Sequence, residues 1–178
     1  AGSWSSEGVS LPQQAAAGGG AWVQLPRQHG SCSVPLRREP GMASCAAQPR
    51  QPVVITSLGA GVWRLVNGLI DFDVSAVGLM ALRDRDGRDQ LSSSLQLERY
   101  RDRGEFWDAW DLAADYRSQP LGVLCTDSLE WLDQGPLVAH LVLRRQLGAS
   151  CMRLDLRLKA DTAWLELICS INWCQTHE

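Results

Sequence analysis

The densest collection of polar and aromatic side chains lies in one short segment, Arg101-Asp102-Arg103-Gly104-Glu105-Phe106-Trp107-Asp108-Ala109-Trp110-Asp111. Two indoles and several carboxylates so close together suit a sugar. An indole offers a broad apolar face to a pyranose ring. Glycosidases often work with two carboxylates, about 5–5.5 Å apart for retention of configuration or about 6.5–9.5 Å for inversion. Spacing narrows the choice. In an extended segment, residues an odd number apart point to opposite faces. Asp108 therefore shares a face with Trp110, while Glu105 and Asp111 point away from it, which disfavours a catalytic pair of Asp108 with either. Trp107 points the other way and is expected to pack inward. The plainer alternative is a loop whose Asp residues bond backbone amides and whose Trp residues cover a sheet edge.

Other chemistry finds less support. His29, His140 and His177 form no HxH or HExxH pattern. Cys174 and His177 are spaced as an i,i+3 pair, but no further ligands accompany them, and zinc needs three or four. His140 lies in an apolar strand and reads as a hydrogen-bonded core or edge residue. No nucleophile elbow or phosphate loop is present. Cys32, Cys45, Cys125, Cys151, Cys169 and Cys174 contain no CxxC pair and match no disulfide framework. They read as free, mostly buried thiols of a reducing compartment, which points to the cytoplasm. The chain begins with Ala1 and shows no signal peptide.

These residues need a scaffold, and the pattern around them is β. Residues 1–60 are rich in Gly, Pro, Ser, Gln and Ala, with short β-like pieces at Val9–Leu11, Trp22–Leu25, Cys32–Leu36 and Pro52–Thr56. Stronger strands follow at Val62–Val66, Gly68–Asp73, Leu79–Asp84, Ser94–Arg99, Leu121–Thr126, Leu137–Gln146, Cys151–Leu158 and Ala163–Trp173. Asn67-Gly68 marks a hairpin turn. Met152, Leu154, Leu156 and Leu158 alternate with Arg153, Asp155, Arg157 and Lys159, which predicts apolar residues inside and charged ones outside. Leu165, Leu167, Cys169 and Ile171 follow a similar pattern. Strands at this spacing without intervening helices predict an all-β, antiparallel sandwich. We read residues 1–60 as a connecting β segment and 61–178 as the sandwich domain. The 178 residues are 45% hydrophobic and 21% charged, which excludes wholesale disorder. A net charge of −3 argues against nucleic acid as a partner. No apolar run is long enough to span a bilayer, which argues against a membrane partner.

In order along the chain, these pieces resemble a known family. Trp63-Arg64-Leu65-Val66-Asn67-Gly68-Leu69-Ile70 is similar to the W-x-L-x-N-x-L-(I/L) strand pair of glycoside hydrolase family 38, the α-mannosidases. Gly78-Leu79-Met80-Ala81-Leu82-Arg83-Asp84 resembles that family's G-G-L-x-S-L-x-D hairpin. Phe106 to Asp111 resembles the F/Y-W-D-A-W-D motif of its cytosolic and bacterial branch. Gly135-Pro136-Leu137, Arg144 to Ser150 and Ile171-Asn172-Trp173 continue the series. Trp4 and Val9-Ser10-Leu11-Pro12 resemble the start of the connecting β segment. Departures occur at Ser75-Ala76-Val77, where a Gly is common, and at Trp173-Cys174-Gln175-Thr176-His177, where only Trp173 and His177 match W-H-E-R-H.

The resemblance implies a galactose-mutarotase-like sandwich, incomplete at its C-terminal end, from the middle of a retaining α-mannosidase acting on α-mannoside glycans. It places the nucleophile and the zinc ligands in an N-terminal catalytic domain that nothing here resembles, so no cofactor is expected in this chain. That domain would be the chain's partner. The resemblance also makes Trp110, with Asp108, the expected substrate-binding residues, and assigns this chain no catalytic residue or metal ligand. The alternative is a free-standing carbohydrate-binding or protein-interaction β-module.

Overall fold

The computed structural model describes residues 2–27, 30–40, 47–104 and 112–177. Apart from one turn of 3₁₀ helix at Tyr116–Ser118, its regular elements are all strands. The first stretch forms β1 (Gly2–Ser6), β2 (Val9–Ser10), β3 (Gln13–Ala15), β4 (Ala21–Val23) and β5 (Arg37–Pro40). These make two small antiparallel sheets, β2-β1-β5 and β3-β4. Next come β6 (Val54–Gly59), β7 (Val62–Val66), β8 (Ile70–Ser75), β9 (Gly78–Asp84) and β10 (Leu95–Gln96), which form a five-stranded meander in the order β10-β9-β8-β7-β6. A separate ladder joins β11 (Glu98–Tyr100) to β12 (Pro120–Val123). Last come β13 (Ser128–Gln134), β14 (Val138–Leu147), β15 (Ser150–Lys159) and β16 (Leu165–Asn172), a four-stranded meander in chain order.

The two larger sheets form a sandwich because each presents one apolar row to the other. Leu65, Phe72, Val74 and Leu79 of the first sheet share a core with Ala139, Leu141, Leu143, Leu156 and Leu158 of the second. All but Leu79 are fully buried. Trp63 on β7 meets Trp131 on β13 edge to face, with ring centroids 5.6 Å apart. The pleat explains the choice of residues: β14 and β15 pair in unbroken register from Val138↔Lys159 to Leu147↔Ser150, so alternate residues of both line one face.

Asn67, in the β7–β8 turn, is 1% exposed and joins the sheets. Its Oδ1 accepts the N–H groups of Leu69 and Ile70 at 3.1 Å each, which shapes the turn. Its Nδ2 donates to the carbonyls of Lys159 and Thr162 at 2.8 and 2.7 Å, across the sandwich at the end of β15 and in the turn that follows. Gly68 beside it has φ +75°, a conformation that costs glycine nothing. Gly78 opens β9 at φ +141°, where a Cβ would stand 2.3 Å from the Leu95 carbonyl oxygen. Only glycine lets β10 lie against that position.

Several expectations need correction. Cys32–Leu36 is not a strand; the ladder lies at Arg37–Pro40, past Pro35, and pairs with β1. β1 and β13 were not expected. In β13, a register shift between Trp131 and Asp133 breaks the two-residue period that would have marked it. The strand expected at Leu121–Thr126 is Pro120–Val123. Asp155 was placed on the outer, solvent side of β15; it is on that face, but only 4% exposed, engaged by neighbours. Leu167, Cys169 and Ile171 were expected inside, yet β16 is an edge strand and all three are exposed. Cys125, Cys151, Cys169 and Cys174 are reduced but exposed rather than buried, as is Cys32. Cys45 and His29 lie outside the described residues.

Replacing Asn67 with Ala removes the amide from two carbonyls across the sandwich, leaving that of Thr162 without this donor and that of Lys159 with the Thr162 hydroxyl alone. The unfolding free energy in urea should fall by about 3 kcal/mol. Leu167→Ala, on the exposed strand, should change it by less than about 1 kcal/mol. Equal effects would show that Asn67 does not join the sheets.

Candidate functional site

The segment singled out by its indoles and carboxylates grows from the β11–β12 ladder, and the structure shows how its two ends are held. Arg101 N–H donates to the Gln119 carbonyl at 2.9 Å, extending the ladder by one rung. Asp102 then ties three pieces together. Its Oδ1 accepts the Ala113 N–H at 2.8 Å, closing the stem, and its own N–H donates to the His177 carbonyl at 2.8 Å. The rings of Tyr100 and Tyr116 pack edge to face with centroids 5.4 Å apart, and the Arg117 guanidinium lies 5.6 Å from the Tyr116 centroid. The Tyr100 hydroxyl donates to the Glu98 carboxylate, which raises its pKa and keeps the proton on the phenol. The expected sugar-binding residues Trp110 and Asp108 lie outside the described residues, as do Glu105, Trp107 and Asp111. Asp102 was named within this segment but given no structural role, because a short acidic residue in a loop carries no periodic signal.

Elsewhere, carboxylates gather in two places. On the outer face of the first sheet, Arg64 Nε and Nη2 grip Asp73 at 2.7 and 2.9 Å, and Arg83 reaches Asp73 at 2.6 Å and Asp71 at 2.5 Å. The bidentate Arg64 contact, helped by Arg83, lowers the Asp73 pKa to about 2 despite burial. On the outer face of the second sheet, His140 sits between Asp155, 2.6 Å from Nε2, and Asp133, 3.8 Å from Nδ1. Arg153 binds both oxygens of Asp155 at 2.7 Å, and with His140 it lowers that pKa to about 2. The Asp133–His140–Asp155 trio has the composition of an acid/base site, but all three are buried. Asp133 Oδ1 is also occupied by the Ala17 N–H at 3.0 Å. No sugar oxygen can approach it. Both clusters therefore act as fixed ion pairs on the sheet faces.

Among the cavities of the described residues, two border the second sheet. A groove of about 500 Å³ runs over the outer ends of β14, β15 and β16, with Arg144, Arg153, Gln146, Ser170 and Asn172 among its walls. A second, of about 390 Å³, lies where the N-terminal segment meets the sandwich. There Trp22 packs on Leu137, Val138 and Ala160, and Arg27, Lys159 and Asp161 supply polar groups. Among the described residues, no three His, Cys, Asp or Glu side chains come together as a metal site. None of the described helices is long and apolar enough to cross a membrane.

The family model for the glycosyl hydrolases family 38 C-terminal domain matches residues 65–178. The chain belongs to that family. The match begins inside β7 and takes in both sheets' core strands, the β11–β12 ladder and the tie made by Asp102. The all-β sandwich is the fold this family's C-terminal domain is expected to have, and the chain is accordingly part of a glycoside hydrolase. No curated protein matches it as a relative.

The ion pairs of this family 38 domain make its stability depend on pH. Asp73 and Asp155 have folded pKa values below the ordinary 3.8, so each stabilises the fold fully above about pH 5. That contribution is lost as pH falls from about 4 through about 2. Urea unfolding should show a loss of about 2 kcal/mol for each carboxylate across that window. Asp155→Asn should flatten part of the slope, and an unchanged slope would count against the pairing.

Proposed function

We propose that this chain is the β-sandwich portion of a retaining α-mannosidase that hydrolyses terminal α-mannosides. The observation that carries the reading is the family 38 match over residues 65–178, most of the sandwich. The described carboxylate clusters support a division of labour, because each carboxylate in them is engaged by arginine, histidine or backbone. Bond cleavage is assigned to a separate N-terminal catalytic domain, which this domain supports. Zinc, which would hold sugar hydroxyls there, finds no fitting group among the residues described here. Trp110, with Asp108, contributes an aromatic wall to the bound sugar, and the stem that Asp102 closes with Ala113 supports that role. A cytoplasmic location belongs to the same proposal; the reduced, exposed Cys125, Cys151, Cys169 and Cys174 support it.

A second reading, a free-standing carbohydrate-binding module, draws on the cavity beside Trp22, where an indole lies next to Arg27, Lys159 and Asp161. The two readings separate in solution. The 178-residue chain alone should not turn over an aryl α-mannoside, with or without added zinc, while the complete enzyme should. In the complete enzyme, Trp110→Ala should lower kcat/KM by about ten-fold or more, with Tm nearly unchanged. If instead the isolated chain binds methyl α-mannoside and Trp22→Ala abolishes the binding, the module reading holds. Turnover by the isolated chain would refute both.

A further inference from the structure

Three pieces that lie far apart in sequence meet at one end of the second sheet. The first is the β14–β15 turn, Gly148-Ala149, which follows the last pair of that ladder, Leu147↔Ser150. The second is residues 173–177, which leave the end of β16. The third is the stem where Asp102 meets Ala113. These pieces differ in stiffness. β14 and β15 have ten residues each and pair in unbroken register, so their turn is a firm anchor. The β11–β12 ladder has three pairs and a register shift between Arg99 and Tyr100. Two short strands on their own are marginal.

Hydrogen bonds run from the firm piece to the weak one, and they start at Gln175. Its amide has two N–H groups, and both are used. Nε2 donates to the Leu147 carbonyl at 2.8 Å and to the Ser150 hydroxyl at 3.1 Å. That hydroxyl belongs to a residue only 1% exposed and also accepts the Cys174 N–H at 2.8 Å. The fit over the turn is close: a Cβ at Gly148 would stand 3.2 Å from Gln175 Nε2. Two residues beyond Gln175, the His177 carbonyl accepts the Asp102 N–H at 2.8 Å. Asp102 Oδ1 then accepts the Ala113 N–H at 2.8 Å.

We infer that Gln175 is a positioning residue for sugar binding, carrying the stiffness of the β14–β15 hairpin through His177 and Asp102 to the stem of the segment that bears Trp110. The inference rests on the reading that Trp110 meets the bound sugar. Gln175 touches no substrate. It holds the stem in one arrangement beforehand, which removes an ordering cost from binding. A loss of that kind weakens ground state and transition state alike, so it falls on KM and spares kcat.

The test uses the complete enzyme and an aryl α-mannoside. Gln175→Glu keeps the size of the side chain and removes both donors. Hydrogen exchange at the Asp102 and Ala113 amides should become about ten-fold faster, with the amides of Leu141 and Leu156 unchanged. KM should rise by about five-fold, with kcat and Tm nearly unchanged. Adding Gln175→Glu to Trp110→Ala should cost little beyond Trp110→Ala alone, because both act on one contact. Asp102→Ala opens the same link from the stem side and provides an independent arm. It should raise KM in the same way and be equally non-additive with Trp110→Ala. The inference is overturned if Gln175→Glu leaves exchange at Asp102 or KM unchanged, or if its loss multiplies with that of Trp110→Ala. In each of those cases a loss in Trp110→Ala leaves the sugar-binding reading standing. A Trp110→Ala enzyme with unchanged kcat/KM overturns that reading, and the inference with it.

Discussion

Everything in this molecule depends on how one sheet is fastened to the other, and the fastening is polar. Apolar rows attract without direction, so they would hold the sheets together at many offsets. Asn67 selects one. Its amide uses both faces of its hydrogen-bonding capacity, accepting within its own turn and donating to two carbonyls at the end of β15 and in the turn that follows. The same turn receives a second set of ties. Asp161 accepts the Gln51 N–H at 2.8 Å and the Gln24 side chain at 2.7 Å. Val53, just before β6, donates to the Pro136 carbonyl at 2.8 Å, near the start of β14. One end of the sandwich is thus pinned by directional bonds, and the rest of the core fills in behind.

The outer faces follow a different logic. On each sheet, arginines and aspartates form tight groups instead of scattering. Arg83 on β9 holds two aspartates of the neighbouring β8, and His140 on β14 meets the Asp155 carboxylate of β15, which Arg153 locks from the same strand. Cross-strand charge pairs of this sort fix register as well as adding stability. They also bury groups that composition alone would place in water. An account that counted charges as solvent-facing would miss why Asp73, Asp133 and Asp155 are nearly inaccessible.

How far the sequence foretold this depends on what each strand pairs with. β8 and β15 alternate polar and apolar residues, and the largely apolar β7, β9 and β14 are joined to them by short turns, so their local pattern carries their partners with it. β5 was misplaced because its partner is β1, more than thirty residues earlier, and because Arg-Arg-Glu-Pro has no apolar period at all. β13 was hidden by its bulge. The outer strand β16 was read correctly as a strand and wrongly as interior, since a period shows which side faces the core and not whether anything covers it. The motif of indoles and aspartates was legible as chemistry. Its support, the Asp102 tie to Ala113 and His177, depends on contacts between distant segments and was not.

The first stretch of the chain attaches in an unusual way. Gln14 accepts the N–H groups of Leu137 and Val138 and returns a bond to the Val138 carbonyl, so one side chain does what a neighbouring strand would do. Ala17 and Gln24 bind partners 116 and 137 positions further on. At a synthesis rate of about 5–20 residues per second, those partners emerge roughly 6–27 s after the residues that need them. During translation Ala17 and Gln24 must therefore wait for Asp133 and Asp161, while the local ladders of the opening segment can already close. Its wealth of glycine and small polar residues suits that interval: it offers nascent neighbours little to aggregate with until the strands it docks on are made.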